Sequence, residues 1–338
     1  MREAVTFDDV LLEPQFSDIT SREDIDVSSQ LDSEHALELP IISSPMDTVT
    51  EWQMAQGMTD LGGLGIIHRY NTVEDQAKLV EMAVGGEDRL IGAAIGVSDD
   101  FINRACALYD AGARLICIDV AHGHHALVRH ALAVLRNTFG SAIHIMAGNV
   151  ATLKGFNDLA DWGADSIRVG IGGGSICSTR IQTGHGIPTL QSVIDCAESD
   201  RSAKLIADGG MKTPGDIAKA LAAGADFVIL GSLLAGTDES PGRVIEQEGR
   251  KIKRYRGMAS PEAQYQWRGR ATSLEGVSHH VDYRGTLFEV IYSLCRGLKS
   301  GMSYSGARSL VEFRSKALFI KQTVCGLAES GTHIKTRL

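Results

Sequence analysis

One cysteine of this chain, Cys177, stands in a glycine-rich segment, residues 170–180, directly after the apolar run 166–169. Glycines allow a backbone to turn tightly and to approach a ligand, and a thiol held in such a turn can serve as a nucleophile. The alternative is a flexible turn with an incidental cysteine, because cysteine often packs as a small hydrophobic residue. The other five cysteines lie in apolar or helical surroundings, without the close pairs of a zinc site. Cys177 is therefore the candidate for chemistry.

A fold must position this loop, and the chain repeats one pattern that indicates which fold. A glycine among small residues precedes a short apolar run at Gly112, Gly163 and Gly224, as expected where a helix ends before a strand buried on both faces. Eight apolar runs alternate with helical segments such as 72–84, 100–109, 125–138 and 214–222; the runs are 39–44, 64–68, 90–96, 115–120, 143–150, 167–171, 205–208 and 227–231. This alternation predicts an α/β fold, the (β/α)8 TIM barrel, with a doubly wound open sheet as the alternative.

The carboxyl ends of these runs carry polar residues and glycines. A TIM barrel builds its active site at that end of its strands. Three of the later ends, at Ser175, Gly210 and Ser232, offer backbone N–H groups and hydroxyls to an anion. The carboxylate of Asp208 suits the paired hydroxyls of a ribose. These residues predict a ligand with a phosphorylated ribose.

Composition narrows the partners and the location. The 338-residue chain has a net charge of -9, which argues against a nucleic-acid partner because such a partner needs a clustered positive surface. No run approaches the roughly 18 apolar residues of a membrane span, so we expect no membrane partner and a cytoplasmic location. No Pro/Ser-rich linker divides the chain. We expect one barrel domain over residues 1–338, with a mobile flap around 237–285 and a C-terminal tail around 321–338.

Six segments resemble those of the IMP dehydrogenase/GMP reductase family, in the same order and over nearly the whole chain. They are 5–12 (VTFDDVLL), 44–50 (SPMDTVT), 147–150 (AGNV), the cysteine loop 170–180, 207–210 (ADGG) and 231–236 (GSLLAG). The resemblance implies a TIM barrel, usually tetrameric. Its loop cysteine would attack C2 of a purine nucleoside monophosphate, where a nicotinamide cofactor exchanges hydride.

The resemblance also implies roles for individual residues. Cys177 would be the nucleophile, and Thr179 and Glu275 would handle protons at C2. Asp119 and His122 would face the cofactor. The carbonyls of Gly172, Gly174 and Cys177 would bind a monovalent cation such as K+, assisted by a neighbouring subunit's tail. The implied nucleotide contacts are Asn149, Ser175, Asp208, Gly210, Gly231, Ser232, Tyr255, Gly257 and Met258.

Two activities occur in this family, and the flap favours one of them. Residues 259–274 form a short segment without the Arg-Tyr dyad with which related dehydrogenases activate water, and no insert of paired CBS modules fits after residues 82–86. Both features favour a GMP reductase that uses NADPH to make IMP and ammonia. Segments 44–51, 237–242 and 255–258 instead resemble those of dehydrogenases. The alternatives are an NAD-dependent IMP dehydrogenase with a divergent flap, or a relative that acts on a modified purine nucleotide or binds one as a regulator.

Four residues depart from the family pattern. Gly173 stands where the family usually has proline, and we expect the free loop to lose rigidity there. His185, Thr189 and Ala259 also differ from the common residues. These departures leave the identity of the purine substrate open.

Overall fold

The centre of the molecule is a closed barrel of eight parallel strands. The structure, a computed structural model, describes residues 2–98, 100–271 and 275–331. The barrel strands are β1 (Ile41–Ser43), β2 (Leu64–Ile67), β3 (Gly92–Ile95), β4 (Leu115–Asp119), β5 (His144–Val150), β6 (Ser166–Val169), β7 (Lys204–Asp208) and β8 (Phe227–Leu230). Because β8 pairs in parallel with β1, the barrel has no edge. The predicted TIM barrel is confirmed, and the open-sheet alternative is wrong.

Helices alternate with the strands and cover the barrel. They are α1 (Trp52–Asp60), α2 (Val73–Val84), α3 (Phe101–Asp110), α4 (Ala126–Phe139), α5 (Leu153–Asp161), α6 (Thr189–Cys196), α7 (Pro214–Ala222) and α8 (Leu287–Tyr304). Threonine side chains cap the amino ends of α2, α5 and α7. Gly112 and Gly224 follow α3 and α7 with φ angles of +107° and +119°, a conformation that favours glycine. The predicted strand bounds differ from the observed ones by no more than two residues.

A short hairpin closes the amino-terminal end of the barrel. Its strands, Ser29–Gln30 and Ala36–Leu37, pair antiparallel, and Leu31 and Leu37 pack against the residues that fill the barrel. In the turn of this hairpin, Asp32 Oδ2 lies 2.9 Å from His144 Nδ1 at the start of β5. The amino-terminal end is therefore sealed.

The segment that was predicted as a flap contains an antiparallel sheet, which the sequence did not indicate. The strands Ile245–Gln247, Arg250–Arg256 and Ser278–Asp282 form an antiparallel sheet, and the helix Pro261–Arg268 lies between the last two strands in the chain. Lys253 is 1% exposed, and its ammonium donates to the carbonyls of Thr237 (2.7 Å) and Ser240 (2.6 Å). These bonds tie the sheet to the segment after β8. Residues 272–274 of the flap lie outside the described residues, and its mobility stays a prediction.

The two ends of the chain pair with each other. The strand Val10–Leu12 runs antiparallel to Phe319–Lys321, which follows the helix Leu310–Lys316. In the predicted tail, the helix Val324–Glu329 is described, whereas residues 332–338 lie outside the described residues. Among the described residues, no helix is both long and apolar enough to cross a bilayer.

Candidate active site

A cavity of about 400 Å³ opens at the carboxyl ends of the barrel strands. Its volume is in the range of small-molecule sites. With one exception, every residue predicted for the site lines this cavity: Asp119, Asn149, Gly172, Gly174, Ser175, Cys177, Thr179, Asp208, Gly210, Gly231, Ser232, Tyr255, Gly257, Met258 and Glu275. The exception is His122, which is exposed and does not contribute to the lining.

The three predicted catalytic residues form a continuous chain of contacts. Cys177 Sγ lies 3.1 Å from Thr179 Oγ1, and Thr179 Oγ1 donates to Glu275 Oε2 at 2.8 Å. Cys177 is half-buried at the base of the short helix Thr179–Thr183. A proton can pass between the thiol and the carboxylate through the one hydroxyl, because each separation is within contact distance.

Backbone pairing between the cysteine loop and the flap places Glu275 there. Cys177 and Gly276 form an isolated antiparallel bridge. The Ser178 N–H donates to the Glu275 carbonyl at 3.0 Å, and the Val277 N–H donates to the Ile176 carbonyl at 3.1 Å. The flap therefore brings Glu275 to the other two predicted catalytic residues.

Tyr255 lies beside the glycine turns predicted to hold a phosphate. A Cβ built on Gly231 would lie 2.7 Å from the Tyr255 hydroxyl, so the close approach requires glycine there. Burial raises the pKa of Tyr255 to about 12, although a hydrogen bond with Ser175 acts in the opposite direction. The phenol is therefore a neutral donor at physiological pH. A Cβ on Gly210 would lie 3.1 Å from the Gly173 carbonyl, which shows that the turn after β7 packs directly on the cysteine loop.

A buried arginine connects the two predicted carboxylates of the site. Arg168 Nη1 donates to Asp119 Oδ1 at 2.7 Å, while Nε and Nη2 lie 2.9 and 2.8 Å from Asp208 Oδ2. Asn149 Nδ2 donates to the same Asp208 oxygen and to the Gly170 carbonyl, both at 2.8 Å. Every hydrogen bond that the described residues make with the Asp208 side chain ends at Oδ2. Asp208 Oδ1 is thus available to a ligand hydroxyl.

Arg168 was not predicted from the sequence as a residue of the site. Burial opposes its charge, but attraction by Asp208 and by the neighbouring acidic groups raises the pKa of Arg168 well above the ordinary value. The arginine therefore stays charged. A single basic residue within the apolar run of β6 was the available signal, since a buried charge requires a partner.

Arginine and aromatic side chains that were not predicted also line the cavity. Tyr70 and Trp267 pack edge to face with ring centroids 4.8 Å apart, and the Arg69 guanidinium lies 4.9 Å from the Tyr70 ring. Arg69 Nη2 donates to the Asp119 carbonyl at 3.0 Å, and Arg69 Nε lies 3.6 Å from Asp119 Oδ2, which makes an ion pair without a hydrogen bond at that nitrogen. Trp267 belongs to the flap helix, so the flap contributes to this wall.

An ion pair joins the flap to the end of β1. Arg256 Nε lies 3.0 Å from Asp47 Oδ2, and both side chains are nearly buried. The Asp47 N–H points to Met258 Sδ at 3.4 Å. Arg256 is therefore occupied in attaching the flap, and its neighbour Met258 is held over the strand end.

Two histidines beside His122 have structural contacts. His124 Nε2 lies 2.7 Å from Asp158 Oδ2, and His125 Nδ1 accepts the Leu127 N–H at the start of α4. Burial is the largest cause that lowers the pKa of His122. The predicted cofactor contact of His122 stays a prediction that the cavity does not support, whereas Asp119 lies in the lining.

The fold and the cavity at the strand ends are those of a TIM-barrel enzyme. Comparisons with known proteins identify its family. The profile of the IMP dehydrogenase / GMP reductase domain matches residues 4–333. The inosine-5'-monophosphate dehydrogenase of Cryptosporidium parvum is 37% identical, over 97% of this chain and 94% of that protein. The GMP reductase of Leishmania major is 31% identical, over 99% of this chain and 98% of that protein.

A solved structure is similar over the same extent. The crystal structure of a GMP reductase from Trypanosoma brucei in complex with guanosine 5'-monophosphate superimposes with a TM-score of 0.93 at 30% identity. The superposition covers 99% of this chain and 98% of the Trypanosoma brucei chain. The chain belongs to the IMP dehydrogenase/GMP reductase family, whose members are oxidoreductases of purine metabolism that use nicotinamide cofactors.

Proposed function

We propose that the protein is a GMP reductase that converts GMP and NADPH to IMP, ammonia and NADP+. The observation that carries the proposal is the chain of contacts from Cys177 Sγ through Thr179 to Glu275. A reductase has to deliver protons to a leaving amine and needs no activated water, and this chain is suited to that task.

The described residues account for binding of the nucleotide. Ser175, Tyr255 and the glycine turns after β7 and β8 would hold the phosphate through hydroxyl and N–H donors. Asp208 Oδ1 would accept the ribose hydroxyls, because Oδ2 is already bound to Arg168 and Asn149. The purine would then lie over Cys177, with Asn149 and Met258 at the cavity wall.

The reaction would pass through a covalent bond between Cys177 and the purine. The Cys177 thiolate forms a bond to C2 of the guanine, and the C2–N bond to the exocyclic amine breaks after Glu275 and Thr179 deliver a proton to that nitrogen. Ammonia leaves. The nicotinamide cofactor, when bound, would supply a hydride to C2 and would itself be oxidised. The C2–S bond then breaks, its electron pair returns to Cys177, and IMP is released.

Charged side chains of the cavity would hold the cofactor that this reaction requires. Asp119, Arg168 and Arg69 line the same cavity as Cys177, and the two guanidinium groups share the Asp119 carboxylate. These groups would hold the polar parts of the nicotinamide cofactor. We propose NADPH as the hydride donor, which is the cofactor that the resemblance to GMP reductases implies.

An IMP dehydrogenase that uses NAD is the second candidate, favoured by the 37% identity to the Cryptosporidium parvum enzyme. Both adjacent Tyr-Arg pairs of the flap are engaged elsewhere. Tyr255 bonds with Ser175 and Arg256 pairs with Asp47, while Tyr283 donates to Asp238 at 2.9 Å and does not line the cavity. Neither pair is placed to activate water next to Cys177, which supports the reductase.

The test incubates the purified protein with GMP and NADPH, and separately with IMP and NAD, while absorbance at the reduced-nicotinamide band is followed. The proposal expects NADPH oxidation with GMP and release of ammonia. NADH formation from IMP would overturn it in favour of the dehydrogenase. Binding of either nucleotide without turnover would favour a regulator or a modified purine nucleotide as the substrate.

Two further properties are part of the proposal. The carbonyls of Gly172, Gly174 and Cys177 would bind K+, since backbone carbonyl oxygens are ligands of such hard cations. The Gly174 carbonyl already accepts the Cys177 N–H (3.1 Å), so its second lone pair would serve the ion. We also propose a homotetramer. Activity in KCl against choline chloride tests the cation, and light scattering coupled to size exclusion tests the assembly.

A further inference from the structure

Gly173 of the cysteine loop and Thr189 at the start of α6 occupy one space. A Cβ built on Gly173 would lie 2.2 Å from Thr189 Oγ1, a separation that real side chains do not show. Thr189 is 4% exposed, and Gly173 does not have the positive φ that would by itself explain a glycine. The contact with Thr189 is therefore what requires glycine at residue 173.

The Thr189 hydroxyl lies behind two glycine segments of the site. It is 3.5 Å from the position of a Cβ on Gly170 and 3.7 Å from that of a Cβ on Gly210, so it lies between the cysteine loop and the turn after β7. Its oxygen is buried without a hydrogen-bond partner among the described residues. An unpaired buried hydroxyl is unfavourable. Its contribution at this position is consequently the space that it fills.

The loop transmits this contact to the nucleophile. Gly173 precedes Gly174, whose carbonyl accepts the Cys177 N–H at 3.1 Å. A shift of the backbone at residue 173 therefore moves Cys177 relative to Thr179, which lies 3.1 Å from the sulfur. Proteins transmit such shifts because their interiors are closely packed.

We propose that Thr189 is a positioning residue. By filling the space next to Gly173, it holds the Cys177 loop in the position that catalysis requires. The inference deepens the proposed function, since it rests on Cys177 as the nucleophile of that site. Residues 173 and 189 then act as a pair: a Cβ atom at residue 173 and a γ atom at residue 189 cannot both occupy the shared space.

The pair can be tested by substitution at both positions. G173A brings a methyl group against Thr189 Oγ1, and we expect kcat to fall about 100-fold, the loss that a displacement of about 1 Å causes. Thr189 Cβ would lie 3.5 Å from the new methyl, an ordinary contact, so G173A/T189A should recover the kcat of T189A. T189V keeps a heavy atom where Oγ1 lies, so G173A/T189V should stay impaired, while T189V alone should keep the wild-type kcat.

A second readout needs no nucleotide. The rate at which iodoacetamide alkylates Cys177, measured by peptide mass spectrometry on the folded protein, should change in G173A, return in G173A/T189A and stay unchanged in T189V. Because this rate does not depend on the reaction catalysed, it still tests the pair if the protein is not a GMP reductase. Equal alkylation and turnover in G173A and wild type, or a double variant that stays as impaired as G173A, would overturn the proposal.

The control is a clash of the same size elsewhere. A Cβ on Gly297 of α8 would lie 2.3 Å from Pro214 Cβ. G297A should lower the melting temperature and leave the alkylation rate of Cys177 unchanged, and T189A should not rescue its stability. A change of Cys177 alkylation in G297A equal to that in G173A would mean that the rate reports general loosening, which would also overturn the proposal.

Discussion

Arg168 holds Asp208 through two guanidinium nitrogens, Nε and Nη2, which lie 2.9 and 2.8 Å from the same carboxylate oxygen. The third nitrogen, Nη1, donates to Asp119. The side chain of Arg168 is 7% exposed. One buried cation therefore bridges two carboxylates that would otherwise repel each other inside the barrel mouth, and Arg69, 3.6 Å from Asp119, adds a second positive charge.

Replacement of this arginine should destabilise the protein. In Arg168→Met, Asp208 loses its cation and keeps the neutral Asn149 amide, while Asp119 keeps the Arg69 guanidinium at 3.6 Å. Breaking a buried ion pair costs about 3–5 kcal/mol, and we expect a loss of that order. Urea unfolding monitored by tryptophan fluorescence measures the change in the free energy of unfolding. Arg201→Met is the control, because Arg201 pairs with Asp161 at the surface and its loss should matter far less. Equal effects of the two substitutions would contradict this account of Arg168.

Glu275 should matter for turnover and not for binding. Its side chain accepts the Thr179 hydroxyl of the predicted proton relay, so Glu275→Gln should lower kcat about 100- to 10,000-fold, the range for a lost general acid or base. Steady-state kinetics should show little change in KM. Glu246→Gln, on an exposed strand of the same flap, should leave both constants unchanged. A rise in KM at constant kcat would instead identify Glu275 as a binding residue.

The barrel could be predicted from the sequence because its strands are buried on both faces. Such strands consist of short continuous apolar runs, and β2, β3, β6 and β8 are buried at every residue. The flap sheet could not be predicted in this way. Its central strand, Arg250–Arg256, is mostly basic, and tertiary contacts hold it: Lys253 donates to carbonyls of the segment after β8, and Arg256 pairs with Asp47, far away in the chain.

The residues of the site also differ in whether the local sequence indicates them. Cys177 and the glycine turns stand out locally, because a reactive side chain or a tight turn has a signature in a few residues. Arg168 and Thr189 do not, because their importance comes from contacts between different elements of the fold. Gly173 and Thr189 each looked like a separate departure from the family pattern, and only the packing of α6 on the cysteine loop shows that they occupy one space.

Tyr255 offers a test of the phosphate site. Burial raises the pKa of its phenol to about 12, so it donates a hydrogen bond across the whole range in which the protein can be assayed. Tyr255→Phe removes this donor, and a lost hydrogen bond to a charged group weakens binding by about 1.5–3 kcal/mol, or roughly tenfold or more in affinity. Titration calorimetry should show that loss with GMP. With guanosine, which has no phosphate, wild type and variant should bind alike; an equal loss with both ligands would place Tyr255 at another part of the nucleotide.

Asp32, at the sealed end of the barrel, should make the free energy of unfolding depend on pH in the acid range. Burial acts to raise the pKa of Asp32, but hydrogen bonds with His144 and with the backbone at Glu34 and His35 outweigh it and lower the pKa well below the ordinary value. A carboxyl with a lowered pKa in the folded state stabilises the fold above the pKa of the unfolded chain, about 4, and this contribution is lost as the pH falls further. Asp32→Asn should therefore lower the free energy of unfolding at pH 7, and the difference from wild type should shrink progressively below about pH 4. Urea unfolding of both proteins at pH 7 and at pH 3 measures this; a difference that stays constant between the two would mean that the ionised form of Asp32 contributes nothing.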